Sequence, residues 1–167
     1  GSVPAGPGAA DDGSGVVSVL ETVRALKARG SHGRHPILAV ITDGEEYGLL
    51  GAASFLHDPK LKARVGAVVN VEARGNRGPS LLFQTSDGNA PLIDLYAKNA
   101  KRYSTSSLFV EIYKRLPNDT DLTLFIRDGI PSFNFAFSEN VAHYHTPLDT
   151  RANLSRATLQ NQGENML

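Results

Sequence analysis

Two adjacent glutamates, Glu45 and Glu46, stand between the glycines of the segment 42–48, where backbone can approach a ligand closely. They follow the apolar run 36–41, whose length and β-branched content predict a buried strand over residues 36–42. Neighbouring side chains at a strand end point in different directions, so one glutamate can hold a metal ion while the other faces a bound water. Metal-assisted hydrolysis requires such a ligand and a general base. Taken alone, the pair is more often a solvated acidic loop.

Further metal-ligand candidates come from three other segments: Asp11 before a predicted helix, Glu72 after a predicted strand, and His145 in a late loop. Because the chain has no cysteine, carboxylates and histidines must hold any metal ion. Together with Glu46 these residues suit zinc in an open catalytic site and, less specifically, manganese or cobalt. Asp11 is the candidate to bridge two ions, because its glycine-rich loop can approach both.

Each of these residues also has an ordinary structural interpretation. Asp11 alone is more often a helix N-cap or an Asx turn. Glu72 alone is more often a surface residue at a strand end, and His145 alone could be a capping or core histidine. The remaining histidines are interpreted as a supporting residue at best (His143) or as surface residues (His32, His35 and His57).

The composition describes a globular chain without an electrostatic footprint for nucleic acid. Of the 167 residues, 41% are hydrophobic and 20% are charged, which argues against disorder and predicts a single domain over residues 1–167. Lys and Arg together number 17, as do Asp and Glu, so no basic surface for nucleic acid is indicated. The longest apolar runs, of about six residues, are too short to span a membrane.

Alternating predicted strands and helices indicate an α/β domain with a largely parallel sheet, in which sites gather beyond the carboxyl ends of strands. The helix predicted over 16–28 has an apolar face that includes Leu20, and Asp119 is the predicted N-cap of a later helix. The predicted strands are 36–42, 65–71, 80–84, 108–113 and 132–137, and the predicted helices are 16–28, 49–56, 91–101, 120–127 and a terminal one from 154.

Three motifs in this order resemble the co-catalytic di-zinc peptidases of the aminopeptidase Y family (clan MH). They are residues 6–15 (GPGAADDGSG), 43–51 (DGEEYGLLG) and 144–150 (YHTPLDT). Residues 70–75 (NVEARG) and 78–80 (GPS) are more similar to the vacuolar and endoplasmic-reticulum membrane branch of that family. The resemblance covers nearly the whole chain.

The resemblance implies a fold, a cofactor and a role for each motif residue. The fold is a three-layer sandwich with a mostly parallel mixed sheet of the phosphorylase/hydrolase-like type, and the cofactor is a pair of zinc ions. Glu45 corresponds to the general base that activates a water, and Tyr144 to a phenol that steadies the oxyanion. The implied metal ligands are Asp11, which bridges the two ions, Glu46 and His145 on the second zinc, and Glu72 on the first.

One part of the family pattern has no counterpart in this sequence. The family's histidine ligand lies in a His-x-Asp motif ahead of the segment that corresponds to residues 2–8, so an N-terminally truncated catalytic domain without the early strands is expected. One metal position then keeps Asp11, Glu46 and His145, and the other keeps only Asp11 and Glu72. Tighter binding is predicted at the first position. An exposed sheet edge that can associate with another chain is also predicted.

The predicted function is metal-dependent hydrolysis of peptide bonds that releases N-terminal amino acids, with a peptide as the partner. One alternative is a non-catalytic or metal-depleted domain of the same fold. Another is a different clan MH metallohydrolase, such as a carboxypeptidase or deacylase. Similarity to the membrane branch leaves the localisation open and implies a parent protein that is membrane-associated or extracytoplasmic.

Overall fold

The computed structural model describes residues 3–30 and 33–167 and has a mixed α/β architecture. In the described part of the chain, three strands form one sheet: β1 (Val68–Ala73), β2 (Leu81–Thr85) and β3 (Ser132–Phe137). The helices are α1 (Gly13–Ala28), α2 (Leu50–His57), α3 (Pro59–Lys62), α4 (Ala90–Asn99), α5 (Ser107–Tyr113), α6 (Leu122–Arg127) and α7 (Arg156–Asn165). None of the described helices is both long enough and apolar enough to cross a membrane.

Strand β3 is the centre of the sheet. It pairs in parallel with β1, with Val68 opposite Ser132, and antiparallel with β2, with Leu81 opposite Ala136. The β2 pairing contains an irregularity between Leu82 and Gln84. All six residues of β3 are buried, as expected for a strand that has a partner on each side and helices on both faces.

Two separate hydrophobic cores pack against the sheet. On one face, Phe133 and Phe135 pack with Tyr96 of α4, whose ring centroid lies 5.4 Å from that of Phe135. On the other side of the molecule, Ala52 of α2 packs with Leu122 and Phe125 of α6. The sheet therefore lies between two helical layers, which confirms the predicted layered α/β class.

The strand predicted over 132–137 is confirmed, whereas the one predicted over 36–42 is wrong. Residues 36–42 belong to no strand or helix, and Ile37 and Ile41 are 68% and 56% exposed. An apolar run becomes a buried strand only where another strand pairs with it. Here a cavity of about 300 Å³, the groove cavity, separates this segment from β1, with Ile41 on one wall and Val69 on the other.

A second strand prediction, over 108–113, is wrong because the segment forms helix α5. Ser106 is its N-cap, and the Ser106 hydroxyl accepts a hydrogen bond from the Leu108 N–H at 3.2 Å. Near the other end, Glu111 pairs with Arg115 at i,i+4 spacing and 2.9 Å. In a run this short, apolar alternation does not separate a strand from a helix with one apolar side.

Two predictions about single residues of helices are also wrong. Leu20, on the predicted apolar face of α1, is 52% exposed, and the buried face is instead made of small residues that include Ser14 and Ser18. Small side chains let α1 and α7 approach closely, with Gln162 of α7 donating to the Ser14 hydroxyl at 3.4 Å. The N-cap position of α6 is taken by Asp121 and not by Asp119.

Candidate metal centre

Asp11, Glu46 and His145 meet at one point of the structure, although 134 positions separate the first from the last. His145 Nε2 lies 2.6 Å from Glu46 Oε1 and 3.0 Å from Asp11 Oδ2. One ligand atom from each residue lies within 4.8 Å of the others. The exposed fraction is 7% for the Asp11 side chain and 31% for the His145 side chain. The cluster is therefore buried on the Asp11 side and open on the His145 side.

Asp11 is held in place through its backbone by a second aspartate. The N–H groups of Ala10 and Asp11 donate to Asp149 Oδ1 and Oδ2 at 2.7 and 3.0 Å. The N-cap of helix α1 is the following residue, Asp12, whose carboxylate accepts a hydrogen bond from the Gly15 N–H at 3.1 Å. The interpretation of Asp11 as an N-cap is therefore wrong, and its carboxylate faces the cluster.

Glu45 and Glu46 lie on a single 3₁₀ turn, Glu45–Tyr47, which follows shortly after the segment 36–42. Gly44 and Gly48, on either side of the turn, have φ values of 66° and 106°, which favour glycine over other residues. The turn directs Glu46 to His145. Glu45 lines both the groove cavity and a second cavity described below.

His145 follows a short 3₁₀ turn, Val141–His143, and has a left-handed backbone with a φ of 56°. The ring of Tyr144 stacks on the His145 imidazole, with 3.6 Å between centroids and 21° between planes. This stacking fixes the plane of the imidazole. Tyr144 also lines the second cavity, so its phenol is on the side from which a ligand would enter.

Glu72 lies on β1 outside the three-residue cluster. Its Oε1 accepts a hydrogen bond from Asn70 Nδ2 at 3.2 Å, and Asn70 also donates to Asn134 of β3 at 3.0 Å. Glu72, Asp11 and Glu45 all line both cavities. The carboxylate of Glu72 therefore faces the same space as the cluster without being one of its three members.

Burial and crowding raise the pKa values of these carboxyl groups. Burial, followed by the charge of Glu46, raises the pKa of Glu45 to about 7. Burial, followed by the charge of Glu45, raises the pKa of Glu72 to about 8. Burial also raises the pKa of Asp11 and keeps the Tyr144 phenol protonated by raising its pKa well above the usual value. Several acids that resist ionisation together form a site that favours a cation.

The donor set fits a metal ion. Two carboxylates converge on a single imidazole nitrogen, and one N–H cannot donate well to both at once. A divalent cation resolves this conflict, because the deprotonated nitrogen and both carboxylates then become its ligands. Two oxygens and one imidazole nitrogen are also a ligand set of catalytic zinc sites with an open position.

A second cavity opens beside the cluster and has mostly apolar walls. This apolar cavity has a volume of about 230 Å³. Its walls include Phe83, Phe109, Ile112 and Leu116, which come from β2, α5 and the turn after α5. The helix predicted as a strand is thus part of the wall of this cavity.

Three residues near the site were not predicted from the sequence. Asp149 stands in the motif 144–150, but nothing in the sequence connects it to the backbone at Asp11. Asp121 is buried and accepts a hydrogen bond from the Thr42 hydroxyl, and burial raises its pKa. Arg74 stands two residues after Glu72, and alternation along β1 could have placed it on the same side.

In the described part of the chain, His35, His57 and His143 are not members of the three-residue cluster. His143 Nδ1 is 2.7 Å from Asn76 Nδ2, so it belongs to a neighbouring polar network. His35 and His57 are exposed, as predicted, and His32 lies outside the described residues.

Comparisons with known proteins give a consistent result. The model of Peptidase family M28 matches residues 2–167. The chain is 31% identical over 169 residues to endoplasmic reticulum metallopeptidase 1 of Mus musculus, which covers 99% of this chain and 19% of that protein. It is 32% identical over 161 residues to the vacuolar membrane protease of Lachancea thermotolerans, which covers 96% of this chain and 16% of that protein. The chain thus spans about a fifth of the length of these relatives.

A solved structure supports the fold. The aminopeptidase from Aneurinibacillus sp. strain AM-1 superposes with a TM-score of 0.69 at 24% identity, covering 99% of this chain and 39% of that one. The resemblance predicted from the three motifs is confirmed. The chain belongs to Peptidase family M28.

Proposed function

We propose that this protein hydrolyses peptide bonds with the help of zinc and releases amino acids from the N-terminal end of peptides, with residues 1–167 as one catalytic domain. The observation that carries the proposal is the meeting of Asp11, Glu46 and His145 beside an apolar cavity. Ligand sites are typically cavities of this kind, with apolar walls and a few convergent polar groups.

Asp11, Glu46 and His145 would hold the more tightly bound ion, and Asp11 and Glu72 would contribute to a second position. The first set offers three ligand atoms that already lie close together, whereas Glu72 is engaged by Asn70. When bound, zinc acts as a Lewis acid and lowers the pKa of a coordinated water. Asp149 holds the backbone at Asp11 by two hydrogen bonds and would therefore position this ligand.

Glu45 is the residue that would move the proton. It adjoins Glu46 on the same turn but faces the two cavities, where a water and a substrate can reach it. It would take a proton from the attacking water and pass it to the leaving amine. Tyr144 lines the apolar cavity with its hydroxyl protonated, so its O–H could donate a hydrogen bond to the oxyanion.

The apolar cavity would receive the side chain of the first substrate residue. Aromatic and aliphatic walls such as Phe109 and Ile112 favour an aliphatic or aromatic side chain over a charged one. Its volume of about 230 Å³ is enough for one large side chain. Peptides that begin with leucine are therefore suitable first substrates.

The test compares a leucine-initiated tripeptide with its N-acetylated form, using full-length protein that has been stripped with a chelator and reloaded with zinc. We expect release of free leucine from the unblocked peptide only, loss of activity in the stripped protein, and recovery with zinc. Release of a C-terminal residue, or hydrolysis of the acetyl group, would instead place the protein among other metallohydrolases of this fold. Zinc binding without hydrolysis of either peptide would support a non-catalytic binding domain.

A further inference from the structure

Arg74 is the one lysine or arginine among the described residues that line the two cavities. The other ionisable residues that it meets in the apolar cavity are carboxylic acids or tyrosines, including Asp11, Glu45 and Glu72. Arg74 is half-buried, and within residues 3–30 and 33–167 its side chain has no hydrogen bond or ion pair. Its guanidinium carbon lies 6.0 Å from the Tyr144 ring centroid, which is the outer limit of a cation–π contact.

The position of Arg74 is fixed by the sheet. Its backbone N–H donates to the Phe137 carbonyl at 2.9 Å, directly after the last residue of β1. Glu72 and Arg74 both line the apolar cavity. The Tyr144 ring that lies near the guanidinium also stacks on the His145 imidazole, which is a member of the three-residue cluster.

A half-buried guanidinium without a partner is suited to a bidentate carboxylate. In a peptide, the carboxylate carbon of a C-terminal second residue lies three bonds beyond the scissile carbonyl carbon, within about 4 Å of it. An aspartate or glutamate side chain on that residue reaches a similar region. Arg74 lines the same cavity as Asp11 and lies beside the Tyr144 ring, so its guanidinium is available to a carboxylate near the scissile bond.

We propose that Arg74 binds a carboxylate on the residue that follows the scissile bond, and so gives the enzyme a preference for dipeptides or for peptides with an acidic second residue. This inference rests on the proposed peptidase function. Arg74 would be a specificity-determining residue, and the apolar cavity would select the first side chain independently.

The experiment uses zinc-loaded full-length protein and four substrates that all begin with leucine. Leu-Ala and Leu-Ala-amide differ in the terminal carboxylate, and Leu-Glu-amide and Leu-Gln-amide differ in the side-chain carboxylate. In the wild type, we expect kcat/KM to be about 10- to 100-fold higher for the carboxylate member of at least one pair. A preference within the first pair identifies a dipeptide terminus, and a preference within the second identifies an acidic side chain.

Arg74→Met, which keeps the apolar stem, should reduce that ratio to about 1 while Leu-Ala-amide turnover stays within about threefold. Arg74→Lys should keep part of the ratio, because it retains the charge without the planar fork. Arg102→Ala, at an exposed position away from the cavities, is the matched control and should change neither ratio. A ratio near 1 in the wild type for both pairs, or a ratio that survives in Arg74→Met, would overturn the proposal.

A binding measurement separates this proposal from the peptidase function. Analogues of Leu-Ala and of Leu-Glu-amide with a reduced CH₂–NH bond cannot be hydrolysed, and calorimetry can compare the carboxylate form of each with its carboxamide form. For the pair that shows the kinetic preference, we expect the wild type to bind the carboxylate form about 10-fold more tightly than the carboxamide form. Arg74→Met should bind the two forms equally. Equal binding of the wild type to both forms in both pairs refutes the role of Arg74. Absence of peptide turnover together with a preference for the carboxylate form refutes the peptidase function and leaves the role of Arg74 supported.

Discussion

Asp149 holds Asp11 across 138 positions of sequence by accepting hydrogen bonds from two consecutive backbone N–H groups, those of Ala10 and Asp11. Asp149 is 4% exposed, so both hydrogen bonds are shielded from water. Charge-assisted hydrogen bonds in such a setting are among the stronger ones in proteins. A residue from the last third of the chain therefore fixes the position of a candidate ligand from the first tenth.

We predict that Asp149→Asn weakens zinc binding about 10- to 100-fold, because an amide presents only one acceptor to the two N–H groups. Calorimetric titration of the stripped protein measures the affinity. Asp87→Asn, at an exposed position on the loop after β2, is the control and should bind zinc as the wild type does. Unchanged zinc affinity in Asp149→Asn would mean that the hydrogen bonds to Asp149 do not position Asp11.

Glu45→Gln is expected to reduce kcat about 10²- to 10⁴-fold while zinc affinity stays close to that of the wild type. Glutamine matches glutamate in size but cannot take up a proton, and Glu45 is not a member of the three-residue cluster. Steady-state kinetics and zinc titration on the same preparation measure both quantities. Turnover that survives the substitution would exclude Glu45 as the general base.

In the zinc-free protein, stability should fall as the pH rises from about 5 to 8, because the pKa of Glu72 is raised from 4.5 to about 8. The folded state holds this proton more tightly than the unfolded state. The stabilisation is therefore fully present below the unfolded pKa and is lost as the pH rises through the folded pKa. Thermal melts at a series of pH values in the presence of a chelator measure how stability depends on pH. Glu72→Gln should weaken this dependence. A pH dependence that Glu72→Gln leaves unchanged would assign the effect to other groups.

Replacement of Ser18 by leucine should lower the free energy of unfolding by about 1–3 kcal/mol, because the buried face of α1 has no room for a larger side chain. Ser18 is 3% exposed. Glu21→Leu, on the exposed side of the same helix, adds a leucine where it meets solvent and should change stability by no more than about 0.5 kcal/mol. Denaturant unfolding of the two variants compares them. Equal effects would mean that the small-residue face is not the packed one.

The sequence indicated the candidate site residues more reliably than the elements that carry them. Asp11, Glu46 and His145, which the structure brings together, are candidates in the sequence because metal ligands belong to few residue types and their environment is partly encoded locally by glycines. By contrast, the run 36–42 has the composition of a buried strand, but pairing is decided by which strand lies beside it. Composition records the propensity of a segment and contains no information on its partner.

The same reasoning explains why Asp149 and Arg74 were not identified. Asp149 acts on backbone N–H groups, which every residue has, so no side-chain pattern in the sequence indicates its partner. Arg74 is distinguished by a cavity-lining side chain that has no hydrogen bond or ion pair to the described residues, which is a property of the folded chain. The segment 108–113 was assigned wrongly because its apolar residues line a cavity from one side of a helix, and a short run of that kind imitates strand alternation.

The most direct test of the metal centre is a calorimetric zinc titration of stripped wild-type protein beside His145→Ala. We predict one tight binding event in the wild type, with any second event weaker, and a loss of affinity of at least about 100-fold for the tight event in His145→Ala. A wild type that binds no zinc, or a His145→Ala variant that binds it with unchanged affinity, would contradict the assignment of Asp11, Glu46 and His145 to one ion.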